Sequence, residues 1–106
     1  MGARALGLAL LLVAGCGGPH ARVSNVRVEP SPTPGRVRVE ARVENLGRGE
    51  GQVEAQIRLR DRRTGRAIAA ERNLELRPHG TVALVADVEA PPGDYSAEVD
   101  AEYPPQ

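Results

Sequence analysis

From Arg36 the chain alternates strictly, with Val37, Val39, Ala41 and Val43 on one parity and Arg36, Arg38, Glu40, Arg42 and Glu44 on the other. A period of two over this length puts apolar side chains on one face of a strand and charged ones on the other, as in a half-buried antiparallel strand. The alternation returns in Val53, Ala55, Ile57 and Leu59 against Gln52, Glu54, Gln56, Arg58 and Arg60, and again in Val82, Leu84, Ala86 and Val88 within Thr81 to Glu89. It returns a last time in Tyr95, Ala97, Val99, Ala101 and Tyr103 against Ser96, Glu98, Asp100 and Glu102. Val23 to Glu29 reads as a first strand. Arg66 to Glu71 reads as a return strand, followed by a separate short extended piece at Leu74 and Leu76. No stretch after residue 16 has a helical period.

Turn signals separate these segments. Pro30-Ser31-Pro32-Thr33-Pro34-Gly35 removes ladder donors and forces a turning connection. Gly47, Gly49 and Gly51 are expected to mark a loop that uses positive φ, and Asp61-Arg62-Arg63-Thr64-Gly65 a hairpin loop with Gly65 in the left-handed position. Pro78-His79-Gly80 and Pro91-Pro92-Gly93-Asp94 close the later strands. Short strands at this spacing predict an all-β protein, an antiparallel sandwich of immunoglobulin-like type with six to seven strands. That connectivity puts strands 1, 2 and 5 in one sheet and strands 3, 4 and 6 in the other. It also brings Arg58 and Arg60 opposite Glu98, Asp100 and Glu102. With the sequence ending shortly after Tyr103-Pro104-Pro105, the sixth strand is expected to be an open edge. An open edge offers unpaired backbone groups to an extended segment, and charge is one way of guarding it. Glu98, Asp100 and Glu102 are therefore the candidate partner edge.

Ahead of the strands lies a different pattern. Arg4 precedes an apolar run from Ala5 to Ala14, too short for a membrane span, which needs roughly 20 apolar residues. The run ends in Val13-Ala14-Gly15-Cys16, which resembles the bacterial lipobox at all four positions. The resemblance implies a signal peptide over residues 1–15, cleavage after Gly15, and diacylglycerol on the Cys16 thiolate followed by acylation of the new amino terminus. Two or more acyl chains anchor a protein stably. An ordinary cleaved signal with an incidental cysteine is the plainer alternative. Cys16 is the single cysteine, so an intramolecular disulfide is impossible. Gly17 is not the aspartate that commonly retains such proteins at the inner membrane, which favours the outer membrane where a cell has one. Residues 16–22 read as a lipidated flexible tether and residues 23–106 as the sandwich domain.

Composition narrows the core and the chemistry. Without the leader roughly 90 residues remain, enough for one small domain. With no Phe or Trp, and Tyr95 and Tyr103 as the two aromatic residues, the core must be Val, Ala, Leu and Ile around whatever the tyrosines add. Both tyrosines are expected to pack inside, Tyr95 with its hydroxyl bonded in the manner of a tyrosine corner. The 14 basic residues, all arginine, balance 14 acidic ones, so neither a positive field nor a stacking platform invites nucleic acid.

The segment Val37 to Val99 resembles the small bacterial immunoglobulin-like modules known as FxLYD and CARDB domains. The likeness rests on Asn45-Leu46-Gly47 after an alternating strand, Ile57-Arg58-Leu59-Arg60-Asp61 before a glycine turn, Leu76-Arg77-Pro78-His79-Gly80, and Gly93-Asp94-Tyr95. Ile57 and Arg60 stand where the FxLYD pattern has Phe and Tyr. The resemblance implies a non-catalytic unit for binding, adhesion or assembly.

Motifs for chemistry are weak. His20 and His79 lack partners at metal-ligand spacing, and Ser24, Ser31 and Ser96 lack a neighbouring His and acid, so neither metal, cofactor nor nucleophile is expected. Glu98, Asp100 and Glu102 lie about 7 Å apart along one strand face, near the spacing of a glycosidase pair, yet they are expected on a flat solvated face with no cleft. Gly47, Gly49 and Gly51 lack the lysine and following helix of a phosphate loop. The expectation is a lipid-anchored envelope lipoprotein, not an enzyme, that binds a protein partner. The alternative is a periplasmic carrier or inhibitor of a small ligand.

Overall fold

A computed structural model describes residues 18–105, and the leader, Cys16 and the rest of the lipobox lie outside them. Six strands follow in order: β1 (Ala21–Pro30), β2 (Arg36–Asn45), β3 (Gly51–Asp61), β4 (Ala67–Leu76), β5 (Thr81–Glu89) and β6 (Tyr95–Glu102). They form two three-stranded antiparallel sheets, ordered β1-β2-β5 and β4-β3-β6, with no helix among the described residues. The expected division of strands between sheets is therefore observed.

The alternating patterns cause this arrangement. Val39, Ala41 and Val43 of β2, Val53, Ala55, Ile57 and Leu59 of β3, and Leu84, Ala86 and Val88 of β5 are buried between the sheets, joined by Leu76, Ala90, Tyr95 and Val99. Slipping β2 or β3 by one residue would exchange these for arginines, glutamates and glutamines, so burial specifies register. On the outer face of the first sheet, charges meet across strands: Arg22 with Glu44 at 2.7 Å, Arg27 with Glu40, and Arg38 with Asp87 at 2.9 Å. Such pairs support the register that burial selects.

Several local expectations are corrected. β1 begins at Ala21, two residues early, because its ladder to β2 runs on to Asn45. Of the expected tether, Pro19 is buried, His20 is hydrogen-bonded, Ala21 and Arg22 belong to β1, and residues 16 and 17 lie outside the described residues. A register shift between Ser24 and Arg27, with Asn25 at φ 54°, makes a bulge in the middle of β1. β4 is one strand from Ala67 to Leu76, with Arg72 on its inward parity. The Arg72 guanidinium escapes the core by donating to the Asp87 carbonyl of β5 at 3.2 Å. Gly35 and Gly65 are the described glycines with positive φ; Gly47, Gly49 and Gly51 are not among them. Gly51 is small for a different reason, since an added Cβ would stand 3.1 Å from the Tyr103 ring. Tyr103 is 48% exposed instead of buried, because β6 ends at Glu102 and its ring lies over Gly18 and Gly51 outside the sandwich.

The antiparallel order gathers the connections at two ends. One end holds Gly18 to His20, the loop between β2 and β3, the β4–β5 turn and Tyr103. The far end holds the β1–β2, β3–β4 and β5–β6 connections.

Candidate interaction site

β6 is an edge strand, bonded to β3 on one side, and it carries the predicted residues outward. Glu98, Asp100 and Glu102 are all exposed on the outer face of the β4-β3-β6 sheet. Their cross-strand partners differ from the expectation. Glu98 faces Arg58, with 3.0 Å between Oε1 and Nη1, but Asp100 faces Gln56 and Glu102 faces Glu54. Arg60 faces Ser96 and donates to the Gly65 carbonyl at 3.0 Å, since it sits one pair nearer the hairpin loop.

This register divides the face. Toward the end bearing the amino-terminal segment, Glu54, Glu71, Glu75, Asp100 and Glu102 occupy three successive rows with Gln52, Gln56 and Asn73 between them. Toward the far end stand Arg58 and Arg60. Glu54 is 5% exposed in spite of its outward parity, held by Gln56 Nε2 and set directly opposite Glu102. Like charges directly opposite cost stability. The acidic half is therefore a concentration of negative charge beside β6.

Two buried polar residues shape the ends, and both continue an inward parity that could have revealed them. Asn45 closes the inward row of β2 at 1% exposure. Its Oδ1 accepts from His20 N and Gly47 N, both at 2.9 Å, and its Nδ2 donates to the carbonyls of Gly49 at 2.8 Å and Arg77 at 2.9 Å. One amide thus satisfies four backbone groups from three segments. Asp61 closes the inward row of β3 at 7% exposure, accepting from Arg63 N at 2.8 Å and Thr64 N at 3.3 Å. These backbone donors, the Arg63 amide first, hold its carboxyl below the usual range. Glu54 carried no such signal, because outward parity ordinarily means exposure.

The two candidate histidines both border Gly47, and the candidate serines lie elsewhere. His20 lies beside Asn45, and His79 sits in the β4–β5 turn at φ 56° with its N–H on the Gly47 carbonyl. Among the described residues no three His, Cys, Asp or Glu side chains come together as a cation-holding group. Ser24 is on β1 and Ser96 on β6, and Ser31 accepts from Thr33 N in the β1–β2 connection. Open recesses mark the surface of the described residues, among them one of about 300 Å³ beside Arg58, Arg60, Ser96 and Glu98. One of about 690 Å³ lies on the outer face of the first sheet, between the β1 bulge and Ala83 and Val85. One of about 400 Å³ lies at the far end, among Val28, Val37, Ala90, Pro92 and Tyr95.

Compared with known proteins, the chain matches no family model and no curated protein sequence.

Proposed function

We propose that this chain is a lipid-anchored lipoprotein of the bacterial cell envelope whose immunoglobulin-like sandwich works as a non-catalytic protein-interaction module. The observation that carries the reading is the β6 edge, which leaves one side of its backbone outside any ladder beside a face with five carboxylates in three rows. A basic, extended segment of a partner adds there, with main-chain bonds supplying affinity and Glu98, Asp100 and Glu102 selecting the sequence. The lipobox reading of Val13 to Cys16 supplies the anchor, and the outer membrane is its location where a cell has one.

Two experiments test this. Cys16→Ser should leave the chain unprocessed and free of labelled palmitate; release identical to wild type would remove the anchor. Hydrogen exchange should show added protection on the Tyr95 to Glu102 amides when the isolated partner is bound. Unchanged exchange there in the complex would remove the edge site.

A second reading, carriage of a small apolar ligand, draws on the 400 Å³ recess at the far end, which falls in the size range of ligand pockets. Chemical-shift changes confined to Val28, Val37 and Tyr95 on adding an apolar ligand would favour it over the edge site.

A further inference from the structure

We infer that the end of the sandwich bearing Asn45 rests on the lipid surface itself, with Leu46 and Tyr103 entering the headgroup layer and Arg48 and Arg77 facing its phosphates. The inference builds on the Cys16 anchor proposed above and adds a definite orientation to it.

Three observations converge. The first is reach. Three residues lie between Cys16 and His20, so the four steps from one to the other span at most about 14 Å even fully extended. His20 is already fixed to the domain, its N–H on Asn45 Oδ1 at 2.9 Å and its carbonyl accepting from Leu46 N at 2.8 Å. A lipid on Cys16 therefore holds Leu46 within a short distance of the headgroups, a layer roughly 5 to 8 Å thick on each side of the hydrocarbon. The strands run lengthwise from this end, so ten residues at about 3.3 Å each carry the far end some 30 Å outward.

The second is where apolar surface is exposed. Leu46 and Tyr103, each 48% exposed, both belong to the tethered end. The other large exposed apolar residues, Val26 and Val85, are on strands of the first sheet, and none lies in the far-end connections. Tyr103 lays its ring on Gly18 and Gly51 and keeps its remaining surface free, an apolar body with a polar tip of the kind that settles at membrane interfaces. The third is charge. Arg48 and Arg77 are exposed in the two loops that form the tip of this end and make no ion pair among the described residues; Glu50 shares the first loop, and Glu75 and Glu102 of the acidic half stand behind them on the sheet face. Arginine near an anionic surface is attracted to it.

The test imposes the anchor chemically, so its outcome is independent of whether a cell lipidates Cys16. Every strand and buried core residue among the described residues lies after Cys16, so residues 16–106 contain all of the described fold. The Cys16 thiol, the sole cysteine, is coupled to a maleimide phospholipid in vesicles of phosphatidylcholine and phosphatidylglycerol. The chain has no tryptophan, so Leu46→Trp and, separately, Thr33→Trp each add one reporter on an exposed loop. With brominated acyl chains, the reporter at position 46 should lose about half its emission or more and shift to the blue, whereas that at position 33 should not change. Leu46→Asp combined with Tyr103→Trp should weaken the quenching seen with Tyr103→Trp alone. Equal, undiminished emission at positions 46 and 33 in anchored protein would overturn the orientation while leaving the anchor reading intact. Absence of palmitate on the wild-type chain in cells would overturn the anchor instead.

Discussion

The Tyr95 hydroxyl donates to the Pro91 carbonyl at 2.6 Å, tying the start of β6 to the turn that leads into it. Tyr95 is 5% exposed and is the one aromatic ring in the core. Tyr95→Phe keeps the ring and strands the carbonyl, which should cost about 1 kcal/mol. Tyr95→Ala removes the largest core side chain and should cost about 3 to 5 kcal/mol, a loss that a small domain with a thin margin barely survives. Tyr103→Ala, at a half-exposed site, should cost far less. Urea unfolding of the three variants checks the order; a Tyr95→Ala melting point within a degree or two of wild type would contradict it.

Asn45 is the second point of weakness. Asn45→Ala removes the partner of the His20 and Gly47 N–H groups and of the Gly49 carbonyl, while the Arg77 carbonyl keeps the Gly80 N–H, and should destabilise by about 2 to 4 kcal/mol. Asn45→Asp keeps the acceptor but points a carboxylate at the Gly49 and Arg77 carbonyls, where donors stood. That variant should be least stable at neutral pH and recover part of the loss near pH 4, as its carboxyl gains a proton. Denaturation at both pH values distinguishes this from a simple packing defect, which would show no recovery.

Acid should unfold the wild-type protein through a few identifiable carboxylates. Asp87 is held below the usual range by the Arg38 guanidinium, Glu40 by Arg27, and Asp61 by the Arg63 amide. A depressed folded-state pKa means that the unfolded chain binds more protons, so stability from these groups is complete above the ordinary values of about 3.9 to 4.3. It is lost as pH falls through the lower folded values. Unfolding midpoints should be level between pH 5 and 7 and fall below pH 4. Asp61→Asn, which retains the acceptor for Arg63 and Thr64, should flatten part of that fall. A wild-type midpoint unchanged from pH 5 to pH 2 would be inconsistent with all three assignments.

The surface ion pairs should differ in worth. Arg38 grips Asp87 with two bonds, at 2.9 and 3.1 Å, and both side chains are 29% exposed. Arg58 and Glu98 share one bond of 3.0 Å and are 54% and 77% exposed. A double-mutant cycle on Arg58 and Glu98 should give under about 0.5 kcal/mol, and the Arg38–Asp87 cycle should give more, with less loss in high salt. The reverse order would show that geometry does not govern these pairs.

Much of the fold was legible in the alternation, because a half-buried strand writes its two faces into alternate positions. Val39 to Val43, Val53 to Leu59 and Leu84 to Val88 are buried as their parity requires. The break expected between Glu71 and Leu74 was absent, since Arg72 keeps an inward position by reaching out to β5, a contact no local pattern contains. Tyr103 followed the inward parity of β6 and still lies outside, because parity has meaning only while an opposing sheet is there to cover it. In the candidate site, the outward row of Glu98, Asp100 and Glu102 was readable, but its partners were not. Arg60 meets Ser96, and Glu102 meets Glu54, because register is set by how β3 and β6 align across the 33 residues between Asp61 and Tyr95.

What the linear order determined by itself was the run of β2, β3, β5 and β6 and the buried face of each. Those follow from the two-residue period and from turn residues that act within a few positions. Only the tertiary structure decided that Glu54 is shielded beside another carboxylate, that Asn45 binds three segments together, and that Leu46 and Tyr103 share the end from which the chain departs. Each depends on groups brought together from distant positions, where burial and hydrogen-bond geometry, not local propensity, select the neighbour.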